Sequence, residues 1–264
     1  MSTRQKVESY CCVTIPNLVL QWPLNAEKPE SGDFDDEAVL GPFRYDPREM
    51  SLRYPYLHGF GTGRRSTKGV HFRDLLAADG VRLDLLDLNV PSFETQTYSA
   101  ILDDLDGPEA ETPENSKLCA VGSSMGGYLA ARWAELRPER FAGLFLLCPG
   151  FDLTARWPLL LGDDAFRSWE AEGSILVEHV AAPPRRLHWD FVLDSRKHPE
   201  YPEVSCPTRI VHGIHDDVVP IEVSRRYAAD HDNVRLVELD DDHRLMNSLD
   251  RIAEELRAFI REVS

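Results

Sequence analysis

The stretch Phe141–Leu147 (FAGLFLL) limits what this chain can fold into more than any other, since seven residues pass without a polar side chain. A strand with one wet face alternates apolar and polar side chains, so a run without alternation belongs to a strand covered on both faces. Four further runs suit strands: residues 83–88 (LDLLDL), 117–121 (KLCAV), 208–211 (TRIV) and Val234–Leu239 (VRLVEL). Helix-like segments lie between them. Residues 127–136 are rich in Ala, Leu and Arg, and residues 221–229 follow a proline. Over residues 245–260, Leu249, Ile252, Leu256, Phe259 and Ile260 share one helical face. Alternating strands and helices predict an α/β protein with a mainly parallel sheet, right-handed crossovers and helices on both faces.

Two regions break the alternation. Residues 1–50 are irregular: residues 18–22 suit a strand, whereas 25–36 are polar and acidic. They are expected to form an N-terminal extension with one or two edge strands. Residues 151–204 carry Trp157, Phe166, Trp169, Trp189 and Phe191 among prolines and charges, with no convincing strand. A stretch this long is not an ordinary loop, and a small helical cap insertion is expected there. The α/β core is then built from residues 51–150 and 205–264. A length of 264 residues with 42% hydrophobic residues suits one large domain carrying an insertion.

The formal net charge is −16, which repels nucleic-acid phosphates and anionic lipid headgroups. Neither nucleic acid nor a membrane is an expected partner. No run approaches the roughly 20 apolar residues of a membrane helix, and the first ten residues lack the apolar core of a secretory signal. The expectation is a soluble cytoplasmic protein. The five cysteines, Cys11, Cys12, Cys119, Cys148 and Cys206, have neither disulfide-framework nor zinc-site spacing. Cys119 and Cys148 sit in apolar runs and are expected to act as small buried hydrophobes.

Four motifs carry chemistry. Gly122-Ser123-Ser124-Met125-Gly126, followed by Gly127, fits G-x-S-x-G. A nucleophilic serine needs a sharp, strained turn between strand and helix, and small neighbours let the two approach closely. The strand-like run 117–121 precedes Ser124, and the helix-like run begins at Gly127. His58-Gly59-Phe60-Gly61 follows a run that ends at Leu57, made irregular by Arg53 and Pro55. A glycine-containing loop there can turn a backbone N–H toward a developing oxyanion, as can the residue after the nucleophile. Phe60 and Met125 are the candidate donors. His212-Gly213-Ile214-His215-Asp216-Asp217-Val218-Val219-Pro220 leaves a strand and ends at a proline that can open a helix. Both Asp216 and Asp217 stand at a strand's C-terminal end, where open α/β sheets bind ligands. His212 and His215 lack the further ligands of a metal site. Asp240-Asp241-Asp242-His243 follows the last strand and places a histidine on a loop that can reach the nucleophile.

The order Ser124, aspartate, His243, each after a strand, resembles that of the α/β-hydrolase superfamily. The likeness runs from about Tyr56 to Ile260. It is similar to small bacterial carboxylesterases and acyl hydrolases with an HGF loop and a GSSMGG elbow. In such enzymes the acid follows H-G-x-x-D-x-x-V-P, which implies Asp216, and the base follows an aspartate, as in Asp242-His243. The segment from Arg137 to Phe141 looks like the familiar end of the elbow helix. The first hairpin of the family is not evident in residues 1–50.

The resemblance implies a serine carboxylesterase with Ser124 as nucleophile, His243 as base and Asp216 as the acid that orients it. No metal or organic cofactor is required, and the partner is a small-molecule ester. A serine at the elbow argues against haloalkane dehalogenase and epoxide hydrolase chemistry, which use aspartate there. Acyl-thioesterase and peptidase chemistry use the same triad, and a binding module would be expected to have lost it. Trp157, Trp169 and Trp189 are candidate substrate-binding residues in the cap, suited to acyl groups of roughly two to eight carbons.

Overall fold

The computed structural model describes residues 12–13, 52–107, 116–179 and 182–264. Among the described residues the main sheet has six parallel strands: β2 (Leu52–Leu57; β1 is Cys12–Val13), β3 (Leu83–Leu85), β4 (Lys117–Ser123), β5 (Phe141–Leu147), β8 (Thr208–Gly213) and β9 (Val234–Leu239). Their order is β3-β2-β4-β5-β8-β9. The five strands expected after residue 50 are all present. The run at 83–88 is a strand only over its first three residues.

Alternate side chains of these strands serve two separate cores, the reason their sequences show no polar period. Leu118, Ala120, Leu144, Leu146 and Ile210 face one way, onto α2 (Tyr98–Leu105), α3 (Met125–Leu136) and α7 (Ile221–Asp230). Cys119, Val121, Phe145, Leu147 and Val211 face the other way, onto α1 (Thr67–Ala77) and α8 (Leu249–Val263). Cys119, Cys148 and Cys206 are buried free thiols.

β2 keeps its place between β3 and β4 in spite of Pro55. Its register to β3 pairs Pro55 with Asp84. Its register to β4 pairs Leu52 and Arg53, then Tyr56 and Leu57, and skips Tyr54 and Pro55. A proline has no N–H for a ladder, so one side of the strand skips past it. The chain adds β3 on one side of β2 and β4 on the other, and from there extends in one direction. This is a topological switch point, where the strand ends open a crevice.

Between β5 and β8 lie α4 (Leu153–Leu161), α5 (Asp163–Glu172), β6 (Ser174–His179), β7 (Ala182–His188) and α6 (Asp190–Ser195). The insertion is therefore not purely helical, as the sequence suggested, but contains an antiparallel hairpin. In β6, Ile175 and Val177 are buried and alternate with less buried neighbours. In β7, two prolines and two arginines disguise the strand. Pro183 and Pro184 are tolerated because β7 is the sheet's edge. Cys12–Val13 pairs in parallel with Leu176 and Val177, so the described part of the N-terminal extension joins the insertion's sheet and not the main one. Residues 18–22, expected as a strand, lie outside the described residues. No helix among the described residues is long and apolar enough to cross a membrane.

An aromatic cluster holds the insertion together. The Trp169 ring lies edge-on to Trp157 at 5.7 Å and to Trp189 at 5.3 Å, and its Nε1–H donates to Leu187 O at 3.1 Å. Trp169→Ala empties the centre of this cluster. Urea unfolding of the variant should show a loss of about 3–5 kcal/mol, the usual cost of a large aromatic truncated in a core.

Candidate active site

Ser124 follows β4 and caps α3 with φ 55° and ψ −119°, a positive-φ conformation that side chains rarely adopt. Its backbone is held on all sides. Its N–H donates to Leu147 O at 2.9 Å, and its carbonyl accepts from the N–H groups of Gly127, Tyr128 and Gly150 at 2.9–3.1 Å. α3 begins at Met125, two residues before the start expected from sequence.

The histidine arrives from the loop between β9 and α8. Asp241, 3% exposed, shapes that loop. Its carboxylate accepts from the backbone N–H of Asp242 and from both the N–H and the side-chain amide of Asn247 at 2.9–3.1 Å. Asp241 and Asp242 carbonyls lie so close to Gly213 that a Cβ there would meet them at 2.4 and 2.5 Å, which docks the loop on the end of β8.

Ser124, His243 and Asp216 form one hydrogen-bonded chain. His243 Nδ1 lies 2.7 Å from Asp216 Oδ2, and His243 Nε2 lies 3.0 Å from Ser124 Oγ. A carboxylate only accepts, so Nδ1 carries the proton and Nε2 is left to accept from the serine hydroxyl. All three residues are buried. Asp217 is exposed and is not in the chain.

Asp216 is fully satisfied as an anion. Oδ1 accepts the N–H groups of Val218 and Val219 at 2.9 and 2.8 Å. Oδ2 accepts from His243 and lies 3.0 Å from His212 Nε2. Burial works to raise its pKa. The hydrogen bonds from His212 and His243 outweigh burial and hold the carboxyl well below the usual carboxylate range. The sequence reading rejected His212 as a metal ligand and gave it no part in the site. Its Nε2 also faces Val219 O at 2.8 Å, so the ring proton sits there, and Nδ1 accepts from Ser224 Oγ at 2.8 Å. His215 is exposed and pairs with Asp240. Donor atoms of Cys148, His212 and Asp216 lie within 4.8 Å of one another. They do not suit a cation, because Asp216 is already saturated and burial pushes the Cys148 thiol well up, toward its protonated form.

The loop after β2 lies against the nucleophile. A Cβ at Gly59 would be 3.5 Å from Ser124 Cβ. His58 Nε2 accepts the Leu88 N–H at 3.0 Å, so its Nδ1–H donates to Gly59 O at 2.9 Å. Thr62 Oγ1 donates to the same carbonyl at 2.7 Å. Phe60 lines the cavity that opens at Ser124, about 50 Å³ in volume, as do Gly59, Lys68, His243 and Arg244. Met125 follows the nucleophile at the first position of α3. Trp157, Trp169 and Trp189 do not line this cavity. They are buried in the insertion's aromatic core, and the Trp157 ring meets that of Phe60 at 5.5 Å. Lys68 was not singled out from sequence, since a lysine in a first helical turn reads as a solvated side chain.

A family model described as the uncharacterised protein family UPF0227 matches residues 53–261. The chain belongs to the UPF0227 family. Mitochondrial palmitoyl-protein thioesterase ABHD10 of Homo sapiens is 28% identical over 164 residues, which are 57% of this chain and 49% of that protein. The same thioesterase of Mus musculus is 26% identical over 182 residues, 61% and 57% of the two chains. This UPF0227 chain thus spans about half the length of the curated relatives it matches. Among solved structures, Est1E of Butyrivibrio proteoclasticus with ferulic acid bound gives a TM-score of 0.67 at 20% identity, over 81% of this chain and 90% of Est1E. The structure of mouse alpha/beta hydrolase domain-containing protein 10 gives 0.63 at 20% identity, over 80% and 90%. These likenesses show the α/β-hydrolase fold for this UPF0227 member.

The depressed Asp216 pKa fixes a pH signature. The folded value lies below the unfolded one of about 4, so the carboxylate's stabilising contribution is complete above that value. It is lost as pH falls through the folded pKa. In urea unfolding, the stability gap between wild type and Asp216→Asn should be constant from pH 7 to about pH 5 and narrow below about pH 4.

Proposed function

We propose that this protein is a serine hydrolase that cleaves carboxylic esters of short to medium acyl chains through an acyl-enzyme. The observation that carries the proposal is the hydrogen-bonded chain from Asp216 through His243 to Ser124, joined at a serine in a strained positive-φ turn. His243 Nε2 takes the hydroxyl proton as Ser124 Oγ attacks the ester carbonyl. Asp216 keeps the imidazole in the tautomer that can do this and stabilises the imidazolium that forms. The backbone N–H groups of Phe60 and Met125 are assigned to the oxyanion, each worth roughly 3–4 kcal/mol in the serine-protease precedent. His243 then returns the proton to the leaving alcohol. Water repeats the sequence and releases the acid. The small cavity at Ser124 favours the short end of the acyl range.

Thioesters are the second reading. The relatives at 26–28% identity are named palmitoyl-protein thioesterases, and the same triad serves a thiol leaving group. The small volume beside Ser124 supports short acyl groups ahead of a palmitoyl chain.

Two measurements test the proposal. A fluorophosphonate probe should label wild type at Ser124 and leave Ser124→Ala unlabelled. Turnover of p-nitrophenyl acetate and butyrate by Ser124→Ala should fall by a factor on the order of 10⁶, the loss seen when a serine protease loses its nucleophile. Turnover within tenfold of wild type would remove Ser124 from the reaction. A matched panel of acyl thioesters ranks the two readings by kcat/KM.

A further inference from the structure

Two cationic side chains, Lys68 and Arg244, line the cavity that holds Ser124 and His243, in a chain whose formal net charge is −16. Neither has a role in the proposed acyl transfer. Lys68 is the second residue of α1, whose first turn contains no acidic residue. A cation there opposes the positive end of the helix dipole, so helix electrostatics do not explain it. A lysine at a cavity mouth usually extends its ammonium to water. Here the side chain is half-buried against the cavity wall, and that burial lowers the Lys68 pKa.

Among the described residues, Lys68 has no hydrogen bond and no ion pair. The nearby carboxylates Asp216, Asp241 and Asp242 and the Cys148 thiol act on it through space. Each of those carboxylates has other partners. Asp216 accepts from Val218, Val219 and His243 and faces His212. Asp241 accepts from Asp242 and Asn247. Asp242 accepts the Arg244 N–H at 2.8 Å and faces Arg244 Nε at 3.6 Å. Arg244 Nε is itself buried without a hydrogen-bond partner. Two donors that carry charge therefore face the reaction cavity with capacity unused. A half-buried ammonium with no protein partner among the described residues, lining the same cavity as the nucleophile, is placed to meet a substrate anion through charge-assisted hydrogen bonds.

Resting on the reading of Ser124 as the acyl-transfer nucleophile, we propose that Lys68, with Arg244, selects substrates that carry a carboxylate a few atoms from the scissile carbonyl. The carboxylate belongs either to the acyl part, as in a monoester of a dicarboxylic acid, or to the leaving group. Lys68 acts on binding and not on the proton transfers, so its contribution belongs in KM.

The test compares matched esters. For the acyl side the pair is p-nitrophenyl butyrate and mono-p-nitrophenyl glutarate. For the leaving-group side the pair is phenyl butyrate and 4-carboxyphenyl butyrate. In wild type one carboxylate-bearing ester should exceed its neutral partner in kcat/KM, and the pair in which it does so identifies the side. Lys68→Met should lower that preference about tenfold or more, the scale of one charge-assisted hydrogen bond, chiefly through KM. Lys68→Arg should retain most of it, and Arg244→Gln should weaken it. Glutarate should also slow fluorophosphonate labelling of wild type at Ser124, a readout that stands even where a Lys68 variant fails to fold. Equal kcat/KM for both members of both pairs would overturn the inference, and so would a Lys68→Met variant that lowers charged and neutral esters alike. Hydrolysis of neutral esters with labelling at Ser124, but no discrimination, would sink the anion selectivity and leave the acyl-transfer reading standing. Absence of both labelling and hydrolysis would remove the two together.

Discussion

A side chain of even one carbon at position 126 would abolish the close approach on which the site is built. A Cβ there would lie 2.2 Å from the Leu57 carbonyl oxygen and 2.5 Å from that of His58, well inside van der Waals contact with immovable backbone. Because position 126 is glycine, the start of α3 lies directly on the end of β2. That contact brings the turn carrying Ser124 against the loop carrying Gly59 and Phe60. It also lets Ser124 keep a backbone conformation that costs on the order of 1–3 kcal/mol. The cost is offset locally, since the Ser124 carbonyl accepts three N–H groups. Two strands adjacent in the sheet, β2 and β4, thus deliver their loops to one point, and the switch in strand order at β2 leaves the crevice there open.

The acid is organised differently, by satisfaction and not by steric fit. A buried carboxylate is tolerable only when its lone pairs are used, and Asp216 uses four. Two backbone donors from the turn leading into α7 fix one oxygen, and two histidines meet at the other. The second histidine, His212, is itself pinned by Ser224 on α7 and by the Val219 carbonyl. β8 and the turn after it therefore present a preformed anion to His243. The single tautomer of His243 follows from that anion and not from the serine.

The sequence made the sheet legible because parallel strands buried on both faces must be apolar throughout, as Phe141–Leu147 is. The elbow was legible for a related reason: the close approach at Gly126 and the turn at Ser124 permit few residue types. The hairpin of the insertion was not legible. Pro183 and Pro184 argue against a strand, and only the edge position of β7 makes them admissible. His212 was set aside as a metal ligand and given no other role, since its pairing with Asp216 depends on how the turn after β8 folds back. The insertion's tryptophans suited both a pocket and a core by composition. Geometry places them in a core, because the Trp169 indole meets those of Trp157 and Trp189 edge-on.

The insertion still acts on the site, through a single ring. Phe60 is 2% exposed, and its ring lies 5.7 Å from Phe93, 5.5 Å from Trp157 and 5.5 Å from Phe191. Two of those partners, Trp157 and Phe191, belong to the insertion. A residue whose side chain is clamped on three sides has little freedom to rotate its own peptide planes. On the other side, His58 and Thr62 converge on the Gly59 carbonyl and fix the preceding peptide. The loop is held from the main domain by hydrogen bonds and from the insertion by aromatic packing. Electrostatic stabilisation of a transient charge depends on donors that need no reorganisation when the charge appears. With the Phe60 N–H assigned to the oxyanion as proposed, the aromatic core is the brace that keeps that peptide in position.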